Sequence, residues 1–330
     1  MLERLTALVR DFEFQAFSLG SRIALAYLAL TVLLAFGVWL ARGRPGTFVS
    51  WLLPRAIYSH RSNLLDLKLF LAYRVFTVFG LFSALLFTPL VAYAVLEWLS
   101  SFTPGAAPKP VTWARSALVT LIVAMAADFC KYWAHRLHHE SAILWPFHAV
   151  HHSADVLTPM TLNRVHPVET LMRNGFISVL VGVVQALAVF TFVGEISLLT
   201  IGGANALYVV FNAAGANLRH SHIWLSYGRV MEHVFISPAQ HQVHHSIDVS
   251  HHNKNYGSMF AIWDWMFGTL YVPPNGREEL SFGLGDAQGR PQAQAYPTLS
   301  AALFKPFRQS GRAIARHLRA VFARRVGTPR

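Results

Sequence analysis

Three short segments of the chain share the pattern His-x-x-His-His, which places imidazole rings close together along the sequence. With 17 histidines among 330 residues, about 0.04 copies of this pattern are expected by chance. On an α-helix the residues i, i+3 and i+4 lie on one face, so each copy can direct two or three imidazoles at a common point. The nine histidines of the three copies are His135, His138, His139, His148, His151, His152, His241, His244 and His245.

Imidazoles that converge in this way predict a metal site. Buried histidines without a ligand would lose hydration and leave ring nitrogens unpaired. Neutral imidazole suits zinc, copper, iron and nickel, whereas carboxylate-rich sites suit magnesium, calcium and manganese. A structural zinc ion takes four ligands, so eight or more converging histidines predict two metal ions. Such a site can carry out redox chemistry or, as the alternative, metal-assisted hydrolysis.

Local signals around the second and third copies predict that these histidines lie on helices. The segment Ser237-Pro238-Ala239-Gln240 is a capping box with proline at the first helical position, which starts a helix just before His241. Pro146 similarly opens a helix before His148 and ends the helix of the first copy.

The composition predicts a membrane protein. Hydrophobic residues make up 54% of the chain and charged residues 13%, whereas soluble domains carry about 25% charged residues. The single cysteine, Cys130, excludes a disulfide scaffold. The net charge of +12 is interpreted as a sign of membrane topology and anionic headgroups, and nucleic acid is not expected as a partner.

Five apolar segments are candidates for transmembrane helices, although the third is polar at its inner end. They are residues 23–41, 75–96, 116–134, 175–194 and 196–218. We therefore predict an all-α integral membrane protein with about four to five transmembrane helices and a cytosolic helical cap that carries a histidine-rich dimetal site. The predicted parts are an N-terminal membrane region with two transmembrane helices, a histidine-box domain and a basic C-terminal cytosolic tail, over residues 1–110, 111–275 and 276–330.

Loop charges predict the orientation of these helices. Lysine and arginine are frequent between the first two predicted helices and sparse between the second and third, which places the first loop and the histidine cluster on the cytoplasmic side. The excess of arginine over lysine favours a bacterial inner membrane, with the endoplasmic reticulum as the location in a eukaryote. In the basic tail, Ile314 and Leu318 recur at helical spacing, which is compatible with a helix on anionic lipid or with a solvated tail that frays.

The motifs and their order resemble the fatty acid hydroxylase/sterol desaturase superfamily, over residues 116–273. The segments that carry the resemblance are Asp128-Phe-x-x-Tyr-Trp-x-His135-Arg-x-x-His139, Leu144-Trp-x-Phe-His148-x-x-His151-His152-Ser, Arg164-x-His166-Pro-x-Glu169, His241-x-x-His244-His245-Ser, Asn255-Tyr-Gly and Trp263-Asp264-x-x-Phe-Gly-Thr269.

This resemblance implies a membrane-bound non-haem di-iron enzyme that uses O₂ to hydroxylate or desaturate a lipid. The implied ligands of the two iron ions are His135, His139, His148, His151, His152, His220, His241, His244 and His245. His220 lies between the second and third main boxes, where the family supplies a further histidine. His222 departs from the family, since many relatives have asparagine there. Because the chain contains no recognisable haem, flavin or iron–sulfur motif, electrons are expected from an external ferredoxin, cytochrome b5 or reductase.

Three further histidines and two carboxylates are assigned to a second tier, as additional ligands or as residues that orient the ligands. His138 lies about 100° around the helix from its neighbours and is expected beside the ligands. His166, which precedes Pro167, either binds metal or caps a helix. His222 is the third histidine of this second tier.

Asp128 is about 10 Å along the helix axis from His135, too far to bind the same ion, and is expected to accept a hydrogen bond from a ligand ring. An i, i+3 pair with Lys131 is the alternative. Asp264 is expected to orient ligands, although aromatic packing explains its segment equally well.

The main alternative function is a zinc-dependent membrane hydrolase or a non-catalytic metal-binding membrane protein. The scarcity of carboxylates near the histidine boxes disfavours a hydrolase, because hydrolysis needs a general base. The lipid substrate stays open among sterols, fatty acyl chains, sphingolipids, carotenoids and ether lipids.

Overall fold

The computed structural model describes residues 2–19, 21–22, 24–82, 87–104, 110, 112–192, 207–274 and 276–326. Within these residues the chain is helical and forms no β-strand, only isolated bridges such as Phe235 with Phe260. The helices are α1 Leu2–Phe17, α2 Leu25–Ala41, α3 Phe48–Leu52, α4 Arg55–Tyr58, α5 Arg61–Val78, α6 Thr88–Ser100, α7 Trp113–Glu140, α8 Trp145–His152, α9 Pro167–Phe192, α10 207–213, α11 Pro238–His244, α12 Ile262–Met266 and α13 Leu299–Val326. The predicted all-helical fold is confirmed for this part of the chain.

Two helices, α7 and α9, are long and apolar enough to cross a membrane. They have 28 and 26 residues, and at 1.5 Å per residue each exceeds the roughly 30 Å hydrocarbon core. They pack against each other, and α9 also packs along α6. Gly182 permits this approach, because a Cβ atom there would lie 2.7 Å from the Cβ atom of Val91. Together with the apolar α2, these helices indicate a membrane protein.

The apolar run 75–96 is not one helix, which corrects the second predicted span. Helix α5 ends at Val78, the chain turns at Gly80 with φ +79°, and α6 begins at Thr88 with proline in its first turn. Glycine just past a helix end and proline just inside the next start are the usual signals of such a break. Hydropathy alone does not register them, because both residues are uncharged.

The remaining predicted spans agree with the structure to different extents. Helix α7 contains the run 116–134, and α9 contains most of the run 175–194 but begins eight residues earlier, at Pro167. The run 196–218 lies partly outside the described residues, and its described part is helical only over 207–213 before a 3-10 turn at Ala216–Arg219. The number of membrane spans therefore stays a prediction.

The histidine-bearing part of the fold is held against α5 and α13. The buried side chains of Leu65, Leu69, Val150, Tyr296 and Ala302 form one apolar cluster that joins α5, α8 and α13. The first half of the predicted basic tail thus belongs to the folded domain, and from Leu299 the tail forms one helix that continues to Val326. This packing fixes the position of α8, which carries the second histidine box.

A fully buried arginine, Arg164, holds the carboxyl end of α8 in place. The Arg164 guanidinium donates hydrogen bonds to the carbonyl oxygens of Val150 and Ser153, at 2.9 and 3.0 Å, and is paired with Asp66 of α5 at 2.9 Å. A cation at the carbonyl end of a helix satisfies otherwise unpaired acceptors. The second histidine box is therefore tied to a neighbouring helix by a buried ion pair.

Candidate metal centre

Three helices, α7, α8 and α11, carry the three histidine boxes, as the local signals predict. Ser237 Oγ accepts a hydrogen bond from Gln240 N at 3.1 Å, and Gln240 Oε1 accepts one from Ser237 N at 3.0 Å, which confirms the predicted capping box of α11. Pro146 lies in the first turn of α8, and α7 ends at Glu140, as predicted.

All nine predicted ligands fall into one of two compact groups. Within each group, one ring nitrogen of every histidine lies within 4.8 Å of the corresponding atoms of the others. The first group consists of His135, His139, His148, His152 and His244, and the second group of His151, His220, His241 and His245. The two groups adjoin, because the rings of His152 and His245 are stacked 4.5 Å apart.

Helical geometry explains how the boxes divide between the groups. In the second box the i and i+4 residues, His148 and His152, belong to the first group, and the i+3 residue belongs to the second. The third box has the opposite arrangement: His244, at i+3, joins the first group, while His241 and His245 join the second. Residues i and i+4 differ by about 40° around a helix axis and i+3 falls on the other side of i, so each of these helices can serve two adjacent sites.

The spacing of the ring nitrogens fits a metal-binding arrangement. The Nε2 atoms of His135 and His148 are 3.1 Å apart, and those of His220 and His241 are also 3.1 Å apart. Two nitrogen ligands at about 2.0–2.1 Å from one ion, at angles between a right angle and a tetrahedral angle, are separated by roughly 2.8–3.4 Å. The Nε2 atoms of His139, His152 and His244 are buried and have no hydrogen-bond partner among the described residues. These orphaned nitrogens are available to a metal ion.

The outer ring nitrogens of three histidines in the first group are oriented by protein oxygens. His135 Nδ1 donates to the carbonyl oxygen of Tyr256 at 2.8 Å, and His244 Nδ1 donates to that of Lys254 at 2.7 Å. His148 Nδ1 lies 3.1 Å from Glu169 Oε2, at ion-pair distance but without hydrogen-bond geometry. The two hydrogen bonds fix the ring orientation and the tautomer of His135 and His244, so that Nε2 is the free donor atom.

Burial keeps five of the predicted ligands that lie outside α7 and α9 neutral at physiological pH. Burial is the main cause that lowers the pKa of His151 and of His244 to about 3, and repulsion from the His148 ring acts in the same direction. Burial likewise holds the pKa of His220, His241 and His245 well below the ordinary value. A metal ion requires the neutral ring, so these side chains bind without first losing a proton.

The loop after the third box is shaped to present the two carbonyl oxygens. Asn255 has a φ of +56°, and its side chain bonds to the carbonyl oxygen and to the amide of Tyr271. The Asp264 carboxylate accepts hydrogen bonds from the main-chain amides of Tyr256 and Gly257, at 2.8 and 2.7 Å. Asp264 thus positions the loop whose carbonyl orients His135, and it acts on the histidine only through the main chain.

Asp128 has a different environment from the one predicted. Its carboxylate accepts hydrogen bonds from the amides of Met259 and Phe260 and from the indole of Trp263, at 2.8, 3.0 and 3.1 Å. Among the described residues it has no hydrogen bond to a histidine and no ion pair with Lys131. Asp128 thereby connects α7 to the loop before α12. A buried carboxylate needs hydrogen-bond donors, and here a segment distant in the sequence supplies them.

The other second-tier histidines lie outside both groups. His138 Nδ1 donates to the carbonyl oxygen of Ala134 at 2.7 Å. His166 caps α9, since its Nδ1 accepts from Val168 N and its Nε2 donates to Leu303 O, so both ring nitrogens are used within the protein. His222 Nε2 donates to Trp51 O at 2.9 Å.

The sequence alone indicates no site role for Glu169 or Arg164, although both belong to a motif that carries the resemblance. The signal was present in the spacing: Glu169 follows Pro167 in the first turn of α9, where the helix start directs it toward His148. What the sequence does not reveal is which ring it contacts, because α8 and α9 meet only in the folded chain.

The comparisons with known proteins agree with this geometry. The fatty acid hydroxylase family profile matches residues 120–269. Over 187 residues the chain is 30% identical to an ornithine lipid hydroxylase, OlsE, of Rhizobium tropici, covering 56% of this chain and 49% of that protein. It is 29% identical to an alkylglycerol monooxygenase of Danio rerio, covering 47% and 31%. No solved structure matches the chain.

A sterol desaturase is also among the relatives. The chain is 28% identical to the Delta(7)-sterol 5(6)-desaturase ERG3A of Gibberella zeae, covering 44% of this chain and 36% of that protein. The chain thus spans about half, or less, of the length of these relatives. The resemblance drawn from the histidine boxes is confirmed: residues 120–269 match the fatty acid hydroxylase family, and a lipid hydroxylase, a monooxygenase and a sterol desaturase are among the relatives.

Proposed function

We propose that this protein is an integral membrane di-iron oxygenase that hydroxylates or desaturates a C–H bond of a lipid, with O₂ and external electrons. The observation that carries the proposal is the convergence of nine imidazoles, from four segments of the chain, into two adjoining groups. The relatives support the reaction class, because their names describe lipid hydroxylases, monooxygenases and desaturases.

Each histidine group would hold one iron ion, and the bound pair would supply the reduction of O₂ and the oxidation of the C–H bond. The residues around the groups keep the ligands in place. The carbonyl oxygens of Tyr256 and Lys254 hold the Nδ1 protons of His135 and His244, and Glu169 faces that of His148. Their shared effect is to leave Nε2 of each ring free.

Two features of the site favour this function over a zinc-dependent hydrolase. The first group offers five nitrogen donors, one more than the four of a structural zinc site. A hydrolase also needs a general base, and among the described residues the carboxylate at ion-pair distance from the first group is Glu169, which already faces His148.

We propose the membrane and the orientation of the protein from the charges of its predicted loops, and the electron donor from the reaction class. We place the protein in a bacterial inner membrane, or the endoplasmic reticulum in a eukaryote, with the histidine groups facing the cytoplasm. A ferredoxin, cytochrome b5 or reductase would deliver electrons to the basic cytoplasmic face.

Anaerobic purification with ferrous iron, followed by Mössbauer spectroscopy and lipid mass spectrometry, tests the proposal. We expect two iron ions per chain and, in cells that express the gene, a lipid that gains one oxygen atom or loses two hydrogen atoms. His148→Ala and His244→Ala should lose iron and product. His317→Ala, at an exposed position in α13, is the matched control and should keep both. Unchanged iron content in the first two variants would overturn the proposal.

A further inference from the structure

A cavity of about 410 Å³ adjoins both histidine groups. Its wall includes His135 and His148 of the first group and His151, His220 and His241 of the second. The apolar side chains of Leu162, Val165, Ile177 and Phe211 line other parts of the wall. A substrate in this cavity is therefore in contact with the site that the proposed function assigns to the metal ions.

Four cationic side chains also line this cavity. They are Arg22, Lys131, Arg173 and Arg219. Glu169 is the one carboxylate among the lining residues that the structure describes, and it faces His148. Basic side chains in the wall therefore outnumber carboxylates by four to one.

Two of the cations are held by the main chain. Arg22 Nη2 donates to the carbonyl oxygen of Ala216, and Arg219 Nη2 donates to that of Ile236 at 2.9 Å. The Nε atoms of both arginines are buried and have no hydrogen-bond partner in the described part of the chain. Their charges are thus fixed beside the cavity by main-chain oxygens, and neither arginine forms an ion pair with a carboxylate of the described residues.

The other two cations, Lys131 and Arg173, have no ion pair with any carboxylate of the described residues. Asp128 attracts the Lys131 ammonium without forming an ion pair with it, and its carboxylate accepts hydrogen bonds from two amides and an indole. Arg173, Arg22 and Arg219 repel the same ammonium. Such a cluster is unfavourable in a low-dielectric setting unless an anion joins it.

Asn212 is a second, independent sign of a polar ligand. Its side chain lines the cavity and is only 4% exposed, yet neither its amide nitrogen nor its amide oxygen has a hydrogen-bond partner among the described residues. Buried amides in native proteins are almost always paired, so a polar group from outside the chain is expected here.

We propose that this cavity binds the anionic group of the lipid substrate, a carboxylate or a phosphate, and so holds the carbon atoms near that group against the two histidine groups. The inference rests on the proposed function and narrows its substrate to an anionic lipid that is oxidised close to its polar end. Ligand pockets usually measure about 300–1,000 Å³, so a cavity of about 410 Å³ accommodates an anionic group with the carbon atoms next to it.

Anaerobic calorimetry on the iron-loaded full chain in a non-ionic detergent tests this proposal without turnover. The probes are dodecyl phosphate, dodecanoate and the neutral dodecanol. We expect both anions, or one of them, to bind at least about tenfold tighter than dodecanol, as charge-assisted hydrogen bonds to fixed cations predict. The tighter anion identifies the source as a phosphate or a carboxylate. Equal binding of all three probes would overturn the proposal.

Variants that each remove one positive charge test whether the anion binds at the cations of the cavity wall. Arg173→Gln and Lys131→Gln should each weaken anion binding about five- to tenfold and leave dodecanol binding unchanged, while Arg173→Lys should restore most of the loss. Lys68→Gln removes one exposed charge from α5 and is the matched control with no expected effect. If Lys68→Gln weakens anion binding as much as Arg173→Gln, the effect is one of net charge and the proposal is wrong.

The outcome is separable from that of the proposed function. Loss of anion selectivity with intact iron content and lipid oxidation would remove only the substrate assignment. Selective anion binding in a chain that neither holds iron nor oxidises lipid would remove the proposed function and leave an anion-binding membrane protein.

Discussion

The orientation of two of the rings depends on main-chain groups of one loop. Tyr256 O and Lys254 O accept hydrogen bonds from His135 and His244, and Asp264 fixes the loop to which both carbonyls belong. Gly257 lies in this loop, where there is no room for a Cβ atom. The chemistry expected of the site therefore depends on residues outside both histidine groups.

Gly257→Ala should disturb this loop. A Cβ atom at residue 257 would lie 2.5 Å from Phe260 O and 2.7 Å from Asp264 Oδ2, which are distances that real Cβ atoms do not adopt. We expect a loss of about 1–3 kcal/mol in the free energy of unfolding, together with reduced iron content, measured by thermal denaturation and metal analysis.

Gly311→Ala is the matched control for this change. Gly311 lies within α13, and no atom is found within 4 Å of the position its Cβ would occupy. The variant should be neutral or slightly more stable, because alanine has the higher helix propensity. Equal stability of the two variants would contradict the role assigned to Gly257.

Glu169→Gln tests the contact to His148. The amide keeps the size of the side chain but removes the negative charge that faces His148 Nδ1 at 3.1 Å. We expect iron affinity to fall about 10- to 100-fold, as measured by competition with a chelator. Glu140→Gln, at an exposed position paired with Arg136, should leave iron affinity unchanged.

At the scale of elements, the two groups depend on the rotation and position of three helix segments. Helices α8 and α11 each supply both groups, so a rotation of either helix would displace ligands from both. Helix α8 is fixed by Arg164 at its end and by α5 and α13 along its side. Helix α11 is short, with seven residues, and depends on its capping box.

Ser237→Ala should therefore affect the metal site as well as the helix. Loss of the cap costs about 1 kcal/mol, and the same buried hydroxyl also donates to Glu232 Oε1 at 2.7 Å, so the variant removes two hydrogen bonds at the start of the helix. We expect lower iron occupancy in metal analysis. Thr112→Ala removes the exposed cap of α7, where Thr112 Oγ1 accepts from Arg115 N, and should cost about 1 kcal/mol without loss of iron. Iron loss in both variants would show that the effect is one of stability alone.

At the scale of the whole molecule, the fold combines apolar helices with a polar, histidine-rich part beyond their ends. Helices α7 and α9 carry apolar side chains outward over much of their length, and their inner ends bring His135 and Glu169 into the polar part. The predicted topology places this part in the cytoplasm and the loop after α6 outside.

Single-cysteine labelling checks that topology. Cys130 is fully buried, so the wild-type chain should react little with a membrane-impermeant maleimide. We expect Ser101→Cys, in the exposed turn after α6, to be labelled in intact cells, and Ser300→Cys, at an exposed position of α13, to be labelled only after the membrane is opened. Labelling of both in intact cells would show that the predicted orientation is wrong.

Much of the local structure could be predicted from the sequence. The capping box before His241 and the proline before His148 define helix starts through interactions within four residues, and both are found as predicted. The uncharged run 75–96 was misinterpreted as one helix, because hydropathy does not register the turn at Gly80. The roles of Asp128 and Glu169 could not be predicted, because their partners are distant in the sequence.

By itself, the sequence determined the kind of chemistry. Each of the three His-x-x-His-His copies, at helical spacing, places two or three imidazoles on one face of its helix, and clustered imidazoles indicate a metal site. The tertiary structure alone decided that the nine rings divide into groups of five and four, and that four cations meet beside them. The physical reason is the distance along the sequence over which each interaction acts. Spacing along a helix sets which rings share a face, whereas the partner of a buried charge is decided by packing between segments that the chain separates by many residues.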